Sequence, residues 1–150
     1  MNFLATCISR LGDGWLYVAT ALYLILAVHP LPTPALLTMA LAVCFSMGLA
    51  LGTKPLVARP RPEPTPSTRL LAIDRHSFPS GHTFTAFAFA VSCGWFYPHA
   101  LAGLIPYAFL MGWARVRSRA HYPSDVAVAA VWGCLVGWGS VAFVKWVEAA

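Results

Sequence analysis

Five long apolar stretches dominate this chain, at residues 14–31, 34–53, 82–97, 99–114 and 126–147. A helix that crosses the hydrocarbon core of a bilayer needs about 20 mostly apolar residues, and each stretch comes near that length. Soluble folds carry about 25% charged residues; here the share is 10%, against 59% hydrophobic residues, and the mean hydropathy is +0.67. The pattern predicts an all-α integral membrane bundle of about five transmembrane helices, formed by one domain over residues 1–150. Residues 1–13 read differently. Phe3, Leu4, Cys7, Ile8 and Leu11 recur at near-helical spacing among Ser9, Arg10 and Asp13, which predicts a short interfacial helix leading into the first span. No basic start followed by a small-residue cleavage site marks a signal peptide, so insertion is expected to rely on the apolar stretches themselves.

The breaks between stretches carry the polar residues. His29-Pro30-Leu31-Pro32 ends the first span, and Lys54-Pro55 stops the second. From Pro55 to Pro79 the chain is too polar to span and too rich in proline for a long helix. Tyr97-Pro98-His99 is so short that the third and fourth stretches are expected to form a tight antiparallel hairpin. The formal net charge is +5, and eight of the ten Lys and Arg residues fall between Lys54 and Arg119. A nucleic-acid binder spreads such residues over a soluble face. Crowded into membrane connections, they suit the bilayer and an anionic lipid headgroup, with no nucleic acid as partner. Cys7, Cys44, Cys93 and Cys134 lack metal-type spacing and are expected to pack as small apolar groups, forming neither disulfides nor a zinc site. Gly48 with Gly52, and Gly133 with Gly137, are small-xxx-small pairs that predict close helix packing.

Alternating crossings impose a parity. The second span ends at Lys54, the third starts at His82, the fourth ends at Arg115 and the fifth starts near His121, so all four ends share one face. Random placement on segment ends would agree this way about one time in eight, and ionisable groups at membrane depth are costly and usually functional. Pro79-Ser80-Gly81-His82 precedes an apolar run, so Ser80 is expected to cap a helix, Gly81 to let an oxyanion approach the backbone, and the first-turn amides to favour a phosphate. His121 and Asp125 flank Pro123, which suits a helix's first turn. A carboxylate bonded to one imidazole nitrogen would leave the other as a nucleophile. Arg115, Arg117 and Arg119 cannot all face one site, and Arg117 and Arg119 are expected to meet headgroups. Between Arg59 and Arg61 the residues themselves leave the inward one open.

The spacing Lys54-x6-Arg61-Pro62, then Pro79-Ser80-Gly81-His82, then Arg115-x5-His121-x3-Asp125 resembles the three-part signature of the type 2 phosphatidic acid phosphatase superfamily. That superfamily includes the lipid phosphate phosphatases and the vanadium haloperoxidases, and the likeness covers residues 54–125. It implies that Lys54, Arg61 and Arg115 clamp the phosphoryl oxygens, with Ser80 and the Gly81 amide adding hydrogen bonds. It further implies that His121 attacks phosphorus, that Asp125 orients it, and that His82 protonates the leaving oxygen. Three fixed cations can take the part that magnesium plays elsewhere in phosphoryl transfer, so no metal and no cofactor is expected. The family's third motif usually has serine where this chain has Ala114, and its integral members often have six spans where five are expected here.

The expected activity is metal-independent hydrolysis of a lipid phosphate or pyrophosphate, such as undecaprenyl pyrophosphate, phosphatidate, phosphatidylglycerol phosphate or lipid A phosphate, through a phosphohistidine. Transfer to another acceptor, or headgroup binding without catalysis, are the alternatives. The resemblance also implies a bacterial inner-membrane protein with its site on the extracytoplasmic side, against the positive-inside rule.

Overall fold

The computed structural model describes residues 12–27, 32–63 and 75–150, together with Ala5, Cys7 and Ile8. Five helices follow in order: α1 (Trp15–Ala27), α2 (Thr33–Val57), α3 (Gly81–Phe96), α4 (Leu101–Arg117) and α5 (Pro123–Ala149). A single turn of 3-10 helix, Pro98–Ala100, joins α3 to α4 as the tight hairpin expected. Among the described residues there is no strand. The interfacial helix expected over 1–13 lies largely outside the described residues; Ala5, Cys7 and Ile8 are helical, and residues 12–14 form a turn.

Helix ends follow local chemistry. α2 has proline in its first turn, where no helical amide bond is lost. It does not stop at Lys54-Pro55 but continues to Val57, where Ala58 takes a left-handed conformation (φ 49°) and its N–H closes on the Lys54 carbonyl at 2.9 Å. Lys54 therefore sits inside the last turn, where a cation complements the helix dipole. α5 opens on Pro123, and the Tyr122 N–H before it donates to Asp125 Oδ2 at 2.9 Å. That bond uses an amide that a helix start would otherwise leave unpaired.

α3 is the central helix. It buries an alternation of Phe84, Phe87 and Phe89 with Ala86, Ala88 and Ala90, and packs against α5, α2 and α4. Its approach to α5 is close enough to require glycine. A Cβ on Gly133 would stand 2.6 Å from the Phe84 carbonyl oxygen, and one on Gly137 would stand 2.6 Å from that of Ala88. Further along, Lys145 lies over the Trp95 ring at 4.4 Å from its centroid, so α3 and α5 run parallel from a shared starting end. The other pair differs from expectation. A Cβ on Gly48 or Gly52 would meet nothing within 4 Å, because both residues lie on the open face of α2.

The outside of the bundle is apolar. Trp15, Leu26, Leu56, Trp138 and Trp146 are each more than 60% exposed, a surface that a soluble monomer avoids and lipid accommodates. Among the described residues two helices, α2 with 25 residues and α5 with 27, are long and apolar enough to cross a membrane, and α1 is a shorter apolar helix of 13 residues. α3 has 16 residues, or roughly 24 Å at 1.5 Å per residue, less than the ~30 Å of a hydrocarbon core. The four cysteines are free thiols: Cys93 is in the core, Cys134 half-buried, and Cys7 and Cys44 exposed.

At one end of the bundle the α2–α3 and α4–α5 connections are stitched together. The Ser77 N–H donates to the Arg59 carbonyl at 2.8 Å and its hydroxyl to the Pro60 carbonyl at 3.0 Å. Glu63 N–H reaches the Arg119 carbonyl at 3.1 Å, and Ser80 N–H reaches that of Asp125 at 3.3 Å. The end of α2, the start of α3, the end of α4 and the start of α5 thus meet, as the parity of the spans requires.

Candidate active site

His121 stands at the centre of this junction, 2% exposed between α4 and α5. Its Nδ1 lies 2.6 Å from the Ser77 carbonyl oxygen and 3.7 Å from Asp125 Oδ2. Only the first distance is a hydrogen bond, so the carbonyl, rather than the carboxylate, accepts the Nδ1 proton. Asp125 acts on the ring through its charge. A carbonyl cannot donate, so the proton belongs on Nδ1 and the lone pair on Nε2. The Arg115 guanidinium approaches that Nε2 at 3.4 Å. Burial is the largest influence on the imidazole and brings its pKa down to about 4; Asp125 opposes, while Arg115, Arg61 and Lys54 push further down. The ring is therefore neutral at neutral pH.

Asp125, fully buried, is held from two sides. Arg59 donates to its Oδ1 at 2.6 Å and to the Ser124 hydroxyl at 2.7 Å, and stacks over the Tyr122 ring at 4.0 Å. The residues themselves left Arg59 and Arg61 undivided and the resemblance chose Arg61 for the phosphate; in the structure the two have different partners. Arg59 supports the carboxylate, while Arg61 donates to the Ala120 carbonyl at 3.3 Å, next to His121. Lys54 is 3% exposed, with its Nζ 3.3 Å from the His76 carbonyl oxygen. Arg117 and Arg119 both face outward, and Arg119 pairs with Glu63 at 2.5 Å. Ala114 is fully buried.

Ser80 occupies the position before α3, but its hydroxyl makes no cap to a backbone N–H. It lies 3.0 Å from the Thr83 hydroxyl, and both side chains are buried. The capping role expected of it is thus replaced by a side-chain bond inside the first turn. Gly81 and His82 line a cavity of about 410 Å³ shared with Lys54, Arg115 and His121. One wall is apolar, formed by Tyr17, Val43, Met47, Ala50 and Leu51. His82 Nε2 meets Asp13 Oδ1 at 2.9 Å, a contact that the sequence did not suggest, since Asp13 read as one polar residue of an interfacial helix. Ser77 was missed too, because a backbone carbonyl leaves no trace in a motif.

Architecture and site together set a class: an apolar helical bundle whose polar end gathers two histidines, a buried carboxylate and basic side chains beside an apolar cleft. Residues 32–149 match the PAP2 superfamily, and the chain belongs to that family. It is 40% identical over 65 residues to a lipid A 1-phosphatase of Rhizobium etli, and 40% identical over 57 residues to that of Rhizobium johnstonii. These matches cover 43% and 38% of this chain but 27% and 23% of the relatives, so the chain matches only about a quarter of their length. Among solved structures, Aquifex aeolicus LpxE superposes with a TM-score of 0.74 at 29% identity, covering 92% of this chain and 83% of the other. A PAP2-type phosphatidylglycerolphosphate phosphatase from Bacillus subtilis shares the fold, with a TM-score of 0.75 at 23% identity over 95% and 75% of the two chains.

Proposed function

We propose that this protein is a phosphatase of lipid phosphates or pyrophosphates that crosses the bacterial inner membrane five times and works through a phosphohistidine. The observation that carries the reading is the state of His121: a neutral imidazole whose Nε2 lone pair faces the Arg115 guanidinium at 3.4 Å, in a cavity with an apolar wall. A phosphoryl group held by Lys54, Arg61 and Arg115, with Ser80 and the Gly81 amide, would present phosphorus to that lone pair. The Nε2–P bond forms as the bond to the lipid oxygen breaks, and His82 gives that oxygen a proton. Water then attacks phosphorus, His82 takes its proton back, and the N–P bond breaks to release phosphate. Phosphoryl transfer asks mainly for positioning and charge stabilisation, which the three cations supply without a metal ion. The apolar wall formed by Tyr17, Val43, Met47, Ala50 and Leu51 suits a lipid tail beside the phosphate. Similarity to lipid A 1-phosphatases makes lipid A 1-phosphate the first substrate to try.

The test is phosphate release from a panel of lipid A, phosphatidate, phosphatidylglycerol phosphate and undecaprenyl pyrophosphate substrates, in the presence of a chelator. The intact protein should release phosphate from at least one of them, and His121→Ala should lower that rate by more than about 10³-fold while still inserting into membranes. Near-normal turnover by His121→Ala, or strict dependence on added magnesium, would sink the mechanism.

A further inference from the structure

We propose that Asp13 is a positioning residue for the proton transfer, holding the His82 ring in the attitude from which it serves the leaving oxygen. The inference rests on the phosphatase reading above and adds to it a residue from outside the three motifs.

Asp13 Oδ1 lies 2.9 Å from His82 Nε2, with the aspartate side chain 52% exposed and the histidine 27%. The turn that delivers this carboxylate is built for close approach. A Cβ on Gly12 would stand 2.8 Å from His82 Cδ2 and 2.7 Å from Met111 Cε, so the backbone lies directly against the imidazole edge. Gly14 on the other side has φ +105°, a conformation that other residues rarely adopt. Trp15 then starts α1, whose Tyr17 ring lies 4.9 Å from that of Phe89 in α3 and ties the turn to the bundle. Gly12, Asp13 and Gly14 line the same cavity as His82, Arg115 and His121. A half-buried imidazole can still take more than one ring orientation, and a carboxylate on one nitrogen selects one of them and decides which proton the ring can hand on. By this route the segment before α1 takes part in catalysis.

A general acid matters in proportion to how badly the leaving group needs a proton. An alkyl phosphate expels an alkoxide and needs one, whereas a nitrophenyl phosphate expels a stable anion and scarcely does. The experiment therefore compares single-turnover release of the alcohol or phenol from an alkyl phosphate and from a nitrophenyl phosphate bearing a tail of equal length. First-turnover rates exclude the later hydrolysis step, in which His82 acts on both substrates alike. His82→Asn should lower the alkyl-to-aryl rate ratio by about 10²-fold or more. Asp13→Asn should lower the same ratio by about 10-fold or more, acting on kcat rather than KM, and Asp13→Glu should restore most of it. Equal slowing of both substrates by Asp13→Asn would reduce Asp13 to a structural role and overturn the proposal, as would an unchanged ratio. A His82→Asn variant without discrimination would remove the acid itself, and the proposal with it. Discrimination by His82→Asn but not by Asp13→Asn would leave the phosphatase reading standing and defeat the inference alone. Continued release of nitrophenol reports that each variant is folded.

Discussion

As the proposed nucleophile, His121 faces two demands. It must be unprotonated, and it must sit where an anion would bind, so the three cations proposed to hold that anion also act on the ring. In this site the demands agree, because positive neighbours and burial both disfavour the imidazolium. An unperturbed histidine titrates near 6.5, and His121 is brought down to about 4. A histidine whose folded value is lowered contributes stability that is fully present above about 6.5 and is lost as pH falls toward 4. The acid limb of kcat/KM set by His121 should accordingly lie near pH 4. A limb between 6 and 7 would show that the ring is more hydrated than its 2% exposure suggests. Lys54→Met should move the limb upward, since one of the cations that hold the value down is gone. These residues were singled out by their spacing together with the family resemblance, but their partners were not. Asp125 reads as the partner of His121, being four residues away, yet its closest bond is to Arg59, 66 positions distant in sequence. The Nδ1 proton goes to the Ser77 backbone. Spacing reports which side chains share a turn, and is silent on which carbonyl a loop brings back.

At the scale of the elements, glycine pairs show how far a pattern can be read. Gly48 with Gly52 and Gly133 with Gly137 share the same spacing on long apolar helices, and only the second pair lies in an interface. Spacing places two small residues on one face, and the rest of the bundle decides whether that face meets a helix or the outside. Gly133→Ala puts a methyl 2.6 Å from the backbone oxygen of Phe84 and 2.7 Å from Phe87 Cβ, where only separation of α3 from α5 can relieve it. Overpacking of this kind costs about 1–3 kcal/mol, and it should lower both the melting temperature in detergent and the activity, since Ser80 and Asp125 sit at the shared end of these two helices. Gly48→Ala meets open space and replaces a poor helix former with the best one, a gain of up to about 1 kcal/mol in a helix interior. Paired melts settle the matter: equal effects of the two substitutions would contradict the packing. The end of α2 carries a related lesson. Proline at 55 reads as a stop, but one missing amide within three residues of a helix end removes little, and the left-handed Ala58 closes the helix instead.

For the whole molecule the outstanding variable is which way the bundle faces. Its two ends differ sharply, because the ends of α2 and α4 and the starts of α3 and α5 converge on the polar end, while α5 finishes at the other. The positive-inside bias counts Lys and Arg, and would draw the polar end toward the cytoplasm. Five of those residues have another reason to be where they are. Lys54, Arg61 and Arg115 gather around His121, Arg59 holds the buried Asp125, and Arg119 pairs with Glu63. Residues placed by a site are weak witnesses to topology, and the family resemblance implies a site on the outside. We therefore expect the polar end to be extracytoplasmic. In a background with the four native cysteines replaced, Glu63→Cys should react with a membrane-impermeant maleimide added to intact cells, and Ala150→Cys should react only after the membrane is opened. The reverse pattern would place the site in the cytoplasm, and simultaneous labelling of both positions from outside would show that the chain crosses an even number of times between them rather than the three times expected of α3, α4 and α5.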